Sequence, residues 1–214
     1  MAESYRQARS SATRQRILDA AAELMAAGRD FDEITVSAFC AAAEVSQSSF
    51  YNLFEDKNAL LDSLVDRLIE QDAERFSRDF PHLDWDQDPV EIVRQILRLL
   101  HAARAENLGF RVSIGIAELK HDHVRERIAD FDRTHTDLLV ELFIQRMNPP
   151  ADQVAEVRAR MAFAAVAIPY WLATAFTPPS SWAAQVDIDD NEVIDRLAEM
   201  WEAYCMPRVE PSAE

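Results

Sequence analysis

The sequence predicts an all-α protein, and three observations carry that expectation. Glycine is scarce, at 3 of 214 residues beside 9 prolines, whereas sheets joined by tight turns usually need more glycine. Apolar residues recur at three- and four-residue spacing along most of the chain, the period of a helix with one buried face. Hydrophobic residues make up 49% of the composition, enough to build a core in one large domain or two small ones.

Met1 to Ala12 reads as a mobile basic arm, since the first 16 residues hold Arg6, Arg9, Arg14 and Arg16 against one acid, Glu3. A helix is expected from about Thr13 to Ala27, with Ile17, Leu18, Ala21, Leu24 and Met25 on one stripe. Gly28 is a natural stop for it, because glycine enters the left-handed conformation of a helix end without steric cost. Phe31 and Ile34 in the following loop are expected to close a small core.

Thr35 to Leu61, TVSAFCAAAEVSQSSFYNLFEDKNALL, reads as two short helices joined by a tight turn. Thr35 is a suitable N-cap, because its hydroxyl can accept an orphan backbone N–H, and Val36, Phe39 and Cys40 then share a face. Ala43-Glu44-Val45 makes the turn and Ser46 caps the second helix. Steps of about 100° put Phe50, Leu53 and Phe54 on one side of it, with Ser48 and Asn52 opposite and Gln47, Ser49 and Tyr51 flanking them. A helix pinned by its apolar face, with hydroxyls, amides and a phenol outside, suits a DNA major groove.

These residues resemble the N-terminal DNA-binding region of the TetR family of one-component transcriptional regulators. The family's aromatic-rich segment, Lys and Leu pair are matched by Phe50-Tyr51, Phe54, Lys57 and Leu60-Leu61. The resemblance covers about the first third of the chain. It implies base or near-base contacts from Gln47, Ser48, Ser49 and Asn52, and phosphate contacts from Thr35, Tyr51 and Lys57. Lys57 has a second possible role, pairing with Glu55 or Asp56. Glu44 departs from the family, which often has glycine in the turn; it implies a different turn geometry or mild strain there. Leu53 stands where the family commonly has an aromatic residue or His able to donate to a phosphate.

From Lys57 to about Phe80 a longer helix carries Leu60, Leu61, Leu64, Val65 and Leu68, a rod of roughly 30 Å. The acidic loop Pro81 to Asp88 breaks the pattern. Pro89 suits the first turn of a helix bearing Ile92, Val93, Ile96, Leu97, Leu99 and Leu100. Leu108 to Leu119, with Gly109 and Gly115, reads as a loose or broken helix: either a packing device or a wall that yields to a ligand. A helix from near Asp122 carries Val124, Ile128, Phe131, Leu138, Leu139, Leu142, Phe143 and Met147, with a possible kink near Thr134 to Thr136. Asp152 to Phe176 is the most hydrophobic helix and should bend at Pro169. After a loop from Thr177 to Asp190, a last helix presents Val193, Ile194, Leu197, Met200, Trp201 and Tyr204.

This gives a division into 1–56, basic arm and helix-turn-helix; 57–80, connecting helix; and 81–214, body. The resemblance implies a three-helix head and a ligand-binding and dimerisation body of about six helices, with the two C-terminal helices forming a four-helix interface in a homodimer. The implied partners are a double-stranded DNA operator and a small, mainly apolar effector. The effector is expected among Ile96, Leu100, Phe110, Ile114, Phe131, Phe143, Phe163, Tyr170 and Trp171, oriented by His101, Glu118 and Tyr170.

Other classes find less support. The formal charge of −16 opposes sequence-blind attraction to DNA and leaves specificity to the head and its duplication. His121 and His123 do not share a helical face, so no metal and no cofactor is expected. There is no G-x-S-x-G, phosphate-binding loop, dinucleotide fingerprint or H-E-x-x-H, so an enzyme is not expected. A helical interaction module that does not bind DNA remains the rival. Met161 to Phe176 is shorter than the roughly 20 residues that span a bilayer, and the polar N-terminus and two cysteines, Cys40 and Cys205, fit the cytoplasm.

Overall fold

The computed structural model describes residues 2–176 and 189–206. Nine α-helices, and no strand, occur among the described residues. They are α1 (Ala2–Ala26), α2 (Val36–Ala42), α3 (Gln47–Tyr51), α4 (Lys57–Asp79), α5 (Pro89–Glu106), α6 (Leu108–Lys120), α7 (Asp122–Met147), α8 (Val154–Phe176) and α9 (Asp190–Cys205). Most of the loop expected from Thr177 to Asp190 lies outside the described residues.

Two local expectations, for the arm and for Leu108 to Leu119, are corrected. The basic arm is helical from Ala2, as its run of Ala, Arg and Gln without Gly or Pro favours. Leu108 to Lys120 is one unbroken helix despite its two glycines, and α7 runs through 134–136 as helix. At Gly28, φ is +84°, and its N–H reaches the Met25 carbonyl at 2.9 Å while that of Arg29 reaches Leu24 at 3.4 Å. This pair of bonds closes the end of α1.

The chain forms two compact units: 1–74 with 107–128, and 75–106 with 129–214. The division differs from boundaries after 56 and 80 because α6 and the first turns of α7 pack with the head. Phe110, Ile114, Ala117 and Val124 share one core with Ile17, Met25, Phe39, Phe50, Phe54 and Leu60. Gly109 lies so close to α1 that a Cβ there would sit 2.4 Å from the Ala26 carbonyl oxygen. Ser113 Oγ donates to the Met25 carbonyl at 2.7 Å. Arg111 grips Asp72 (Nη1 to Oδ2, 2.9 Å), and Arg127 Nη1 stands 3.1 Å from Asp62.

In the second unit, Ile92, Val93 and Leu97 of α5 meet Val140 and Phe143 of α7, Met161 and Leu172 of α8, and Ile194, Leu197 and Trp201 of α9. Arg94 Nε pairs with Asp195 at 2.7 Å, tying α5 to α9. Cys205 is buried in this core, and burial pushes its thiol up to about 12, which keeps it inert at neutral pH.

Candidate nucleic-acid interface and interior cavity

The surface of α3 is built outward from the aromatic core of the first unit. Phe50 and Phe54 are fully or almost fully buried with ring centroids 5.3 Å apart, and Phe31 and Phe39 lie 5.7 Å apart in the same core. Truncating a buried phenylalanine of this kind costs about 3–5 kcal/mol, so the inner face of α3 is firmly held. Both helices of the pair begin as the sequence predicts: Thr35 Oγ1 accepts from Ala38 N at 3.2 Å, and Ser46 Oγ from Ser49 N at 3.1 Å. Between them Glu44 adopts φ +54°, with its N–H on Ala41 and that of Val45 on Cys40. Glu44 therefore occupies the left-handed position that glycine would fill without strain.

Gln47, Ser48, Asn52 and Thr35 are exposed, and Tyr51 is 55% exposed while its ring packs edge-on against Phe50 at 5.4 Å. Ser49 is half-buried, and its hydroxyl lies 2.9 Å from that of Ser46. Its side chain is thus engaged in the cap. Lys57 is turned inward: Nζ donates to the Asp32 carbonyl at 2.9 Å and lies 4.8 Å from the centre of the Phe31 ring. Its partners are neither Glu55 nor Asp56. Burial holds its ammonium below the usual lysine range, opposed by Asp32 and Asp30. Arg14, though exposed, donates to Ser63 Oγ at 2.7 Å with its guanidinium over Phe54. The exposed face is therefore amide, hydroxyl and phenol with little cationic charge, a surface better suited to reading base edges than to gripping phosphates.

His121 Nε2 lies 3.0 Å from Asp32 Oδ1, and His123 Nε2 lies 3.4 Å from Asp62 Oδ1. Lys120 bonds Asp30 beside them, which holds the Asp30 carboxyl below its ordinary value. No three metal-capable side chains converge among the described residues.

The second unit contains an apolar pocket of about 70 Å³, open to solvent on one side. Its walls are Val93, Ile96, Leu97 and Leu100 of α5, Leu139, Val140 and Phe143 of α7, a stretch of α8 from Met161 to Pro169, and Trp201 of α9. Of the residues expected around an effector, Ile96, Leu100 and Phe143 line it. Phe110 and Ile114 instead lie in the core of the first unit, to which Glu118 also belongs. The Phe131 and His135 rings are tilted against each other with centroids 4.1 Å apart, and His101 Nε2 lies 3.0 Å from Asp190. Phe163, Tyr170 and Trp171 are 63%, 67% and 50% exposed on α8. Periodicity alone assigned Ala164, Ala165 and Pro169 to a tight helix expected to bend; that these residues line a pocket depends on three other helices.

An exposed apolar face runs along α8 and α9. Val166 is 63%, Met200 55% and Tyr204 45% exposed, and the Phe163 and Tyr204 rings are 5.7 Å apart. No helix of the described residues is long and apolar enough to cross a membrane.

Residues 17–64 match the family model described as bacterial regulatory proteins, tetR family. The chain is similar to the nucleoid occlusion factor SlmA of Vibrio vulnificus, 29% identical over 128 residues, which cover 58% of this chain and 64% of that protein. SlmA of Vibrio cholerae is 28% identical over the same length. The match thus spans 64% of the length of these relatives. Among solved structures, Salmonella enterica GusR superposes with a TM-score of 0.62 at 19% identity, covering 90% of this chain and 95% of its own. A TetR-like transcriptional regulator from Rhodococcus sp. RHA1 gives 0.58 at 20%, covering 89% and 94%. These last two likenesses speak for the fold.

Proposed function

We propose that this chain, which belongs through residues 17–64 to the tetR family of bacterial regulatory proteins, is a cytoplasmic, non-enzymatic, sequence-specific DNA-binding transcriptional regulator. The observation that carries the reading is the exposed Gln47, Ser48, Tyr51 and Asn52 surface on a helix whose opposite face is locked by Phe50. Gln47 is the first candidate for base readout, since an amide pairs bidentately with adenine. Thr35, Tyr51 and the backbone around them supply phosphate contacts, whereas Ser49 acts chiefly through the cap and Lys57 chiefly through Asp32 and Phe31.

The α3 face carries no cation of its own, so one head would bind weakly through it, and two heads on half-sites about 34 Å apart supply the affinity. The face of α8 and α9 bearing Phe163, Val166, Tyr170, Met200 and Tyr204 is the surface through which a second copy pairs. A small, mainly apolar effector in the cavity releases the operator by favouring one arrangement of the body. Helix α4, continuous from Lys57 to Asp79, joins the body to the reading helix.

A mobility-shift titration with genomic fragments at two salt concentrations tests the reading. Specific fragments should shift at low salt, Gln47→Ala should relax their sequence preference, and Phe163→Glu should give a monomer that binds them weakly. Failure to retain any specific fragment would sink it. Specific sites lying apart from promoters would instead favour nucleoid occlusion, the role named for the Vibrio relatives, whose similarity extends over 128 residues.

A further inference from the structure

The cavity lining contains no charged, amide or hydroxyl side chain. What polarity such a wall offers comes from the indole N–H of Trp201 and from backbone carbonyls. Helix carbonyls are normally occupied by the N–H four residues on. Pro169 has no N–H and lies inside α8, so the Ala165 carbonyl loses that partner. Ala165 and Pro169 both line the cavity. The released carbonyl thus belongs to a residue of the pocket wall.

We infer that the effector is a small, neutral, apolar molecule carrying one hydroxyl or equivalent hydrogen-bond donor, which the Ala165 carbonyl accepts. This rests on reading the second unit as the effector site. It also replaces the orienting groups expected from the sequence: His101 is engaged with Asp190, Glu118 belongs to the other unit, and Tyr170 is exposed. A charged group seated against this wall would find no counter-charge there.

Size adds a second constraint. A volume of about 70 Å³ is roughly half of the 150 Å³ apolar cavity that holds benzene in another protein. A ring-sized ligand that enters fully must part the walls, and α8 yields most easily where its bond ladder is already interrupted. Such a ligand binds the opened arrangement selectively, which supplies the difference in affinity that release of DNA requires.

Phenol and toluene are nearly isosteric and differ by one donor, so calorimetric titration of the full chain with each isolates the effect. The expected result is phenol binding about tenfold tighter than toluene, as one hydrogen bond in an apolar site supplies. Pro169→Ala returns an N–H to the Ala165 carbonyl and should abolish that preference while toluene still binds. Ala164→Leu fills the cavity and should abolish binding of both probes with the helical circular dichroism retained. Equal affinities in the natural chain, or a preference that survives Pro169→Ala, overturn the donor inference while bound toluene leaves the effector site standing. No binding of either probe, or binding untouched by Ala164→Leu, overturns the site itself.

Discussion

Replacing Gly109 by alanine should destabilise the first unit, although the same change usually strengthens a helix. Within a helix, alanine is favoured over glycine by about 1 kcal/mol. At Gly109 the added Cβ meets the Ala26 carbonyl oxygen at 2.4 Å, and the Ala26 carbonyl carbon and Cα at 3.1 Å each. These are backbone atoms at the end of α1, just before the bonds that Gly28 and Arg29 make. They cannot rotate away as a side-chain tip would. Moving α6 outward by most of an ångström would also stretch the 2.7 Å bond from Ser113 to Met25 and loosen Phe110 and Ile114 in the core. Forced overpacking costs about 1–3 kcal/mol, and a backbone obstacle belongs at the upper end. Subtracting the helix gain leaves a net loss of about 2 kcal/mol. Gly115, on the same helix, has nothing within 4 Å of an added Cβ, so Gly115→Ala should stabilise by about 0.5–1 kcal/mol. Urea unfolding followed by circular dichroism, at one protein concentration because the chain is expected to dimerise, reads both. If the two variants shift the midpoint in the same direction, the close approach of α6 to α1 is not what selects glycine at 109.

Glu44→Gly should stabilise the head by about 0.5–1 kcal/mol by removing the strain of a side chain at φ +54°; a lower thermal midpoint would refute this. Lys57→Met keeps the apolar stem but loses the Asp32 carbonyl and the charge over Phe31, a cost of about 1–2 kcal/mol. The variant also tests a pH effect. Because burial depresses the Lys57 pKa below 10.5, the unfolded chain holds more protons between the two values, so this residue's contribution to stability rises with pH there. Unfolding free energies across alkaline pH should show that rise in the natural chain and a smaller one in Lys57→Met. The Lys120 ammonium, by contrast, lowers the Asp30 pKa beneath 3.8, so its stabilisation is present above 3.8 and lost as pH falls through the folded value. Asp30→Asn should lower the urea midpoint at neutral pH and flatten the acid limb; an unchanged acid limb would remove Asp30 from the titration.

Helix α3 and its surroundings were legible because their signals are local. Thr35 and Ser46 cap the helices that follow within three residues, and Phe39, Phe50 and Phe54 mark inner faces by helical spacing. Gly28 ends α1 through bonds to its own last turn. The strained turn at Glu44 was legible for the same reason, since its conformation depends on the α2 carbonyls just before it.

What periodicity could not decide is which apolar face meets which partner. Phe110 and Ile114 have the spacing of any buried helix, and whether they lie in a head or around an effector depends on Gly109 approaching Ala26 across more than eighty residues of chain. Phe163, Tyr170 and Trp171 carry the hydrophobicity of a core yet stand exposed, while Ala165 and Pro169 face a cavity made by four separate helices. Lys57 looked free for a phosphate until the turn at Asp32 was brought under it. The caps of α2 and α3, the stop at Gly28 and the exposed chemistry of α3 were thus determined by the sequence alone, because bonds between near neighbours set them. The membership of the two units, the inward turn of Lys57 and the place of the cavity were decided only in the tertiary structure, because each depends on contacts between distant segments.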